Sequence, residues 1–457
     1  MFIMNEKIFK AYDIRGIYGQ DFNDGFAYKL GLAFTALRKS DPDYSSGQKL
    51  KFAIGADMRL SSPSLKKSLL QGIIDSGADA VDVGTVSTPS LYFAVGSSNL
   101  DGGLMVSASH NPKEWNGFKM VRSKGLPISG ETGINLLKKL IQEDNLLKAE
   151  NPGQVILDKQ TLEKEISYAL DFLSIKKMRP LKIVADASNG MGSAYLKPLL
   201  SRLPVSYSGL NFEPDGRFPV HEADPLKEEN LAQLQLAVVS EGADLGIATD
   251  GDGDRVFFVD NLGRTINQSI VRGLLARIFL KNNPGAKIGY DVRPGKTTVD
   301  LILAAGGAPV MTRVGHSLIK EQMEKENIFF AGESSGHFYF KGQAGCFEYP
   351  AVMIALLLEY FSSLNTKPSD HLDKLNKYHH SGEINRPVSD PEKIFKLIAD
   401  RFSGAKISYL DGITVECPDF WFNVRSSNTE SKMRLNLEAI SREIMESRRD
   451  EVLEIMK

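Results

Sequence analysis

Four short apolar runs in this chain each end in a turn that carries an acid and then lead into a helical pattern. Phe52–Gly55 runs into Asp57, Ile183–Ala185 into Asp186, Leu245–Ala248 into Asp250, and Lys287–Tyr290 into Asp291. Strands alternating with helices build βαβ units with mainly parallel sheets. Ligands of such sheets sit beyond the carboxyl ends of the strands, where these acids lie. The signal at Asp57, Asp186 and Asp291 recurs at 105 to 130 residues. That is too long and uneven for a solenoid, whose periods run about 20–50 residues. Duplicated α/β domains account for it, and so does chance likeness between common βα patterns; the pattern alone leaves both open.

With 457 residues the chain is long enough for three or four domains. Asn151-Pro152-Gly153 and the stretch from Asn365 to Asp370 are turn chemistry and read as linkers. A further boundary is needed between the acid unit ending near Asp254 and the pattern after Gly263. Four domains are therefore expected, at 1–152, 153–258, 259–368 and 369–457. The last reads as a small α+β domain: a helix Pro391–Arg401, strands near Ile407–Tyr409, Gly412–Glu416 and Trp421–Val424, and a closing helix Asn436–Met456.

Charge and cysteine content narrow the function classes. Lys and Arg total 55 against 57 Asp and Glu, so the net charge of −2 gives no electrostatic reason for a nucleic acid or anionic membrane partner. Only Cys346 and Cys417 are present, which rules out a disulfide framework or a Cys-rich zinc site and fits a reducing, cytoplasmic setting. The start, with Glu6 and Lys7 and no long apolar run, is not expected to be a signal peptide. The longest apolar stretch, near Ala351–Leu358, falls far short of the roughly 20 residues of a membrane helix.

Asp250-Gly251-Asp252-Gly253-Asp254-Arg255 is the sharpest chemical signal. At about 6 Å and an effective dielectric near 20, each carboxylate pair repels by roughly 3 kcal/mol, which a divalent cation removes. The glycines let the backbone curl so that alternate carboxylates converge. Hard oxygen ligands suit Mg²⁺. An EF-hand would need Gly and Glu where this chain has Arg255 and Asn261, so that reading is set aside. A solvated acidic turn is the plain alternative; the position directly after an apolar strand favours the metal site.

Other turns carry weaker signals. Ser107-Ala108-Ser109-His110-Asn111-Pro112 follows the apolar Gly103–Val106, and Ser109 beside His110 could be a nucleophile with a base, or an ordinary Ser/Asn turn. There is no G-x-S-x-G elbow. The segment from Arg425 to Glu430, with Arg434 placed near the start of the closing helix, offers an anion cradle or a capping box. Gly332–His337 supplies a carboxylate, hydroxyls and an imidazole suited to sugar hydroxyls, and His316 after Gly315 is a base or a plain loop histidine. His379-His380 receives no role.

These motifs, in this order, resemble the α-D-phosphohexomutase family, most closely its phosphomannomutase/phosphoglucomutase branch. The resemblance spans essentially the whole chain, from Lys10-Ala11-Tyr12-Asp13-Ile14-Arg15-Gly16 to the Arg425 loop, and includes Pro214-Asp215-Gly216 and Asp224-Pro225. It implies an α/β fold of three similar domains plus a smaller C-terminal α+β domain around a central cleft. It implies a phosphoryl-carrying Ser109 and Mg²⁺ held by Asp250, Asp252, Asp254 and the Ser109 phosphate. Arg255 would steady the phosphoryl group; Tyr12, Arg15, His110, Lys119, Arg293 and His316 would face the cleft. Lys119 and His316 are then the acid/base candidates. Glu333 and Ser335 would read sugar hydroxyls, and Arg425, Ser427, Asn428 and Thr429 would clamp the distant phosphate. Ser431, Arg293 and Ser334 stand where relatives often carry other residues.

The implied activity is interconversion of hexose 1-phosphate and hexose 6-phosphate, of mannose or glucose, through a bisphosphorylated intermediate, with hexose 1,6-bisphosphate as activator. Phosphoglucosamine mutase is an alternative, as are a Mg²⁺-dependent sugar phosphatase and a non-catalytic sugar-phosphate or Ca²⁺ binder. No G-x-G-x-x-G follows a strand, so a dinucleotide enzyme has little support. The expected partners are small hexose phosphates; the oligomeric state is not legible in the sequence.

Overall fold

The computed structural model describes residues 4–41, 44, 47–426 and 432–457. The first sheet holds β1 (Ile14–Ile17), β2 (Lys51–Ala56), β3 (Asp79–Thr85), β4 (Gly102–Val106), β5 (Trp115–Arg122) and β6 (Val155–Leu157), in the order β1-β5-β4-β2-β3-β6. β2 runs parallel to both β3 and β4, while β5 returns antiparallel along β4. That return carries the chain back across the end of the sheet, so the turn 107–114 sits at the carboxyl end of β4. Phe22, Phe26 and Phe118 pack with ring centroids 5.7–5.9 Å apart under this sheet. Burying each such ring contributes about 1.5–3 kcal/mol.

The second sheet holds β7 (Leu181–Asp186), β8 (Val205–Leu210), β9 (Leu245–Thr249) and β10 (Val256–Asp260), in the order β10-β9-β7-β8. β9 and β10 form an antiparallel pair whose connection is the acidic loop 250–255. In the third region β11 (Lys287–Asp291) lies between β12 (Ala308–Thr312) and β13 (Ile328–Gly332), parallel to both. An antiparallel hairpin follows, β14 (Phe338–Gly342) with β15 (Gly345–Glu348).

The last sheet holds β16 (His379–Pro387), β17 (Lys406–Ser408), β18 (Ile413–Glu416), β19 (Phe420–Ser426) and β20 (Lys432–Ala439), in the order β16-β20-β19-β18-β17. Here the structure corrects the expected closing helix. The buried apolar residues Met433, Leu435, Leu437 and Ala439 recur every second residue, the period of a strand rather than a helix. The helix begins only at Arg442, capped by Ser441, whose side chain accepts from the Ile444 N–H. Arg434 therefore lies on a strand, where it pairs across from Arg425 of β19 rather than near the start of a helix.

By backbone packing the chain divides into two compact units. One comprises 1–265 with 337–368 and the other 266–336 with 369–457. No helix among the described residues is long and apolar enough to cross a membrane.

Candidate active site

In the first unit, the serine turn and the acidic loop approach so closely that a side chain between them is impossible. A Cβ on Gly251 would stand 2.4 Å from the Ser109 carbonyl oxygen. Ser109 itself is left-handed, φ +51°, an uncommon conformation for a residue with a side chain. Its N–H donates to Ser107 Oγ at 2.9 Å, which holds the turn. Ser109 Oγ donates to Asp250 Oδ2 at 2.9 Å and lies 3.1 Å from His110 Nδ1.

The turn is held from beneath by Arg59, which is fully buried. Its guanidinium donates to the carbonyls of Ser109 and Asn111 at 2.7 Å each, of Pro112 at 2.8 Å and of Trp115 at 2.9 Å. The remaining Nε–H reaches Asp57 Oδ2 at 3.2 Å. All five donors of the fork are thus used, four of them on backbone carbonyls between Ser109 and Trp115. Asp57 is one of the strand-end acids seen in the sequence, and its partner stands two residues on. The second unit repeats this: Arg293 Nε donates to Asp291 Oδ2 at 2.7 Å. The shared Asp-x-Arg geometry supports duplication over coincidence.

Asp250, Asp252 and Asp254 are all buried, with ligand oxygens within 4.8 Å of one another. Asp250 Oδ1 accepts from the N–H groups of Asp254 and Arg255 at 3.1 and 3.2 Å, and Gly253 turns the chain at φ +73°. Lys119 Nζ bridges Asp252 Oδ2 and Asp254 Oδ2 at 2.6 Å each. Burial, then the neighbouring Asp254 and Asp252, pushes the Asp250 carboxyl well above the usual range. Burial also works against ionised Asp254, but Lys119, His337 and Arg255 outweigh it and hold that carboxyl well below. Burial opposes the Lys119 ammonium too; Asp252 and Asp254 overcome it and keep Lys119 protonated.

This donor set fits a divalent cation. Asp252 Oδ1 is buried and accepts no hydrogen bond, which is costly unless a cation or donor meets it. The oxygen ligands are those of a hard ion such as Mg²⁺. Arg255 Nε and Nη1 are likewise buried without an acceptor, with Asp224 and Asp250 at 3.6 and 3.8 Å, and suit phosphoryl oxygens. Burial, followed by Arg255 and Arg15, pushes His110 well below its ordinary value and leaves it neutral. Arg15 donates to Asn111 Oδ1 at 2.7 Å, while Tyr12 is half-buried in the preceding turn.

Four further residues contribute to the site without a local sequence pattern that assigns them to it. His337 Nε2 stands 3.1 Å from Asp254 Oδ1, and with Glu348 these residues form a second buried cluster of possible ligands. Thr88 donates to Asp252 Oδ2 at 2.5 Å. His337 lay in the polar segment noted above; Thr88, Glu348 and Arg59 meet the site only through long-range contacts.

In the second unit, Asp291 gathers the sugar-loop residues. Besides Arg293 it accepts from Ser334 N–H and Oγ–H at 2.9 and 3.0 Å. Arg293 also stands 3.7 Å from Glu333, whose Oε1 accepts from the Gly315 N–H at 3.0 Å, beside His316 at the start of its helix. Ser335 is buried in the same loop. On the last sheet Glu383 takes Arg425 at 3.3 Å and Arg434 at 3.0 Å. Burial, then Arg293, lowers the Arg425 guanidinium, while Glu383 and Asp411 work in the opposite direction. Arg425 Nε is buried without an acceptor. A buried guanidinium donor left open in this way fits an anion. Ser427, Asn428 and Thr429 lie outside the described residues.

Known proteins match this chain along its length. Family models described as phosphoglucomutase/phosphomannomutase cover it in order: alpha/beta/alpha domain I at 6–147, domain II at 163–263, domain III at 268–378 and the C-terminal domain at 383–455. The chain therefore has three α/β domains and a smaller C-terminal one, as expected. It is 36% identical over 442 residues to a phosphomannomutase of Escherichia coli (strain K12), covering 94% of each chain. It is 37% identical over 445 residues to a phosphomannomutase of Methanocaldococcus jannaschii, covering 97% of this chain and 96% of that one. A crystal structure of a phosphoglucomutase/phosphomannomutase family protein from Burkholderia thailandensis superposes with a TM-score of 0.90 at 33% identity, covering 100% of this chain and 98% of that one.

Proposed function

The chain belongs to the phosphoglucomutase/phosphomannomutase family of phosphohexomutases, and we propose that it interconverts the 1- and 6-phosphates of mannose, glucose or both through a phosphoserine at Ser109. The single observation behind the serine assignment is the contact of Ser109 Oγ with Asp250 Oδ2 at 2.9 Å, in a strained turn.

The phosphoryl group on Ser109 passes to the free hydroxyl of a hexose monophosphate. The bond from phosphorus to Ser109 Oγ breaks and a bond to the sugar oxygen forms, giving a 1,6-bisphosphate. The intermediate turns end for end, and its other phosphoryl group returns to Ser109. Such transfer depends on positioning and charge neutralisation. Arg59 fixes the turn and Arg255 supplies donors to the phosphoryl oxygens. Lys119, held protonated, balances the acidic loop and can give a proton to the leaving oxygen, while accepting the proton of the sugar hydroxyl falls to His316. Asp250, Asp252 and Asp254 would hold Mg²⁺, which when bound stabilises charge on the serine oxygen and the phosphoryl group. Arg293, Glu333, Ser335 and Arg425 bind the sugar hydroxyls and the second phosphate, with His110, Tyr12 and Arg15 lining the serine turn.

Hexose 1,6-bisphosphate serves as activator by recharging a bare Ser109. The two free cysteines, one of them buried, support a reducing, cytoplasmic setting. Substrate choice is tested by comparing kcat/KM for mannose 1-phosphate, glucose 1-phosphate and glucosamine 1-phosphate with bisphosphate present. The first two should exceed the third; a preference for glucosamine 1-phosphate would reverse the assignment.

A further inference from the structure

Asp252 is held asymmetrically. Its Oδ2 accepts from Lys119 Nζ at 2.6 Å and from Thr88 Oγ1 at 2.5 Å, with Ser107 Oγ at 3.4 Å. Its Oδ1 is buried and accepts nothing. Thr88 also fixes the main chain of the loop, since its N–H donates to the Asp252 carbonyl at 3.0 Å. One residue thus grips both ends of Asp252.

Thr88 is itself well anchored. It is fully buried as the first residue of the helix Thr88–Ser97, capped by Ser87, whose side chain accepts from the Ser90 N–H. Pro89 stiffens that first turn. Ser90 Oγ lies 2.8 Å from Ser87 Oγ and donates to Glu165 Oε2. The threonine hydroxyl is therefore presented from a rigid turn, and its β-branched side chain has restricted χ1 freedom.

We infer that Thr88 is a positioning residue for the cation site: by occupying Oδ2 and the carbonyl of Asp252, it leaves Oδ1 as the ligating oxygen and sets its direction. Lys119 alone could not do this. Its ammonium is a flexible point charge shared with Asp254, and it would accept either carboxylate rotamer. Partners of this kind, one step removed from a metal, typically govern affinity by 10–100-fold. The inference rests on the reading of the acidic loop as the cation site.

The test is Mn²⁺ titration of the full chain followed by electron paramagnetic resonance, which needs no turnover. Four proteins are compared: wild type, Thr88→Val, Thr88→Ser and Asp252→Asn. Valine keeps the shape and removes the hydroxyl; serine keeps the hydroxyl. Thr88→Val should weaken Mn²⁺ binding about tenfold or more while Thr88→Ser stays within about twofold of wild type. Wild-type affinity in Thr88→Val would overturn the inference, as would equal losses in the two variants. Asp252→Asn separates the two levels: if it binds Mn²⁺ like wild type, the cation-site reading itself fails and Thr88 has nothing to position.

Discussion

Arg59 donates to the carbonyl oxygen of Ser109 at 2.7 Å from a fully buried guanidinium. The nucleophile turn is thus carried by a cation rather than by packing alone. A lysine at this position keeps the charge but loses the fork that reaches four carbonyls. Arg59→Lys should lower stability by about 2–4 kcal/mol, from two or more lost charge-assisted bonds. Urea unfolding measures that loss. At a temperature where the variant is folded, kcat should fall at least tenfold with KM little changed, because the turn and not substrate binding is disturbed. An unchanged kcat would remove Arg59 from the account.

Glu165, which accepts from Ser90 in the turn behind Thr88, gives the fold a pH dependence. Burial raises its carboxyl from 4.5 to about 7, with the Ser90 hydroxyl working in the opposite direction. The folded state therefore holds this proton where the unfolded chain has released it. Stability from this group is present below pH 4.5 and is lost as pH rises to about 7. Glu165→Gln removes the ionisation. The variant should gain on wild type through that window, by up to about 3 kcal/mol at pH 8. Urea midpoints measured from pH 5 to 8.5 read it directly; parallel curves for the two proteins would contradict it.

Arg425 tests the anion-binding side. It is buried against Glu383, and its Nε has no acceptor. Arg425→Lys should raise KM for the hexose phosphate about tenfold or more, in line with a charge-assisted bond of roughly 1.5–3 kcal/mol. The variant's kcat should change less than KM. A loss confined to kcat would move Arg425 from binding to the chemical step.

Which parts of this were legible in the sequence follows from the range of the contacts. The strand ends at Asp57, Asp186 and Asp291 and the metal loop were readable because each is a pattern of neighbouring residues. The roles of Arg59 and Thr88 were not, since their partners lie 50 and 164 residues away. Asn436–Ala439 was read as helix because Leu437, Glu438 and Ala439 suit helix and strand alike. Pairing with β16 and β19, and the two-residue period of the apolar side chains from Met433, decide for the strand. Ser334 sits between the two expected sugar readers, yet its side chain is committed to Asp291, a contact that sequence spacing could not reveal.

The central claim is that Ser109 carries the phosphoryl group. The most direct measurement is mass spectrometry of the intact chain and its peptides after incubation with hexose 1,6-bisphosphate. One phosphate on Ser109 is expected, and none on Ser109→Ala, which should lose nearly all mutase activity. A phosphate on another residue, or full activity in Ser109→Ala, would contradict the account.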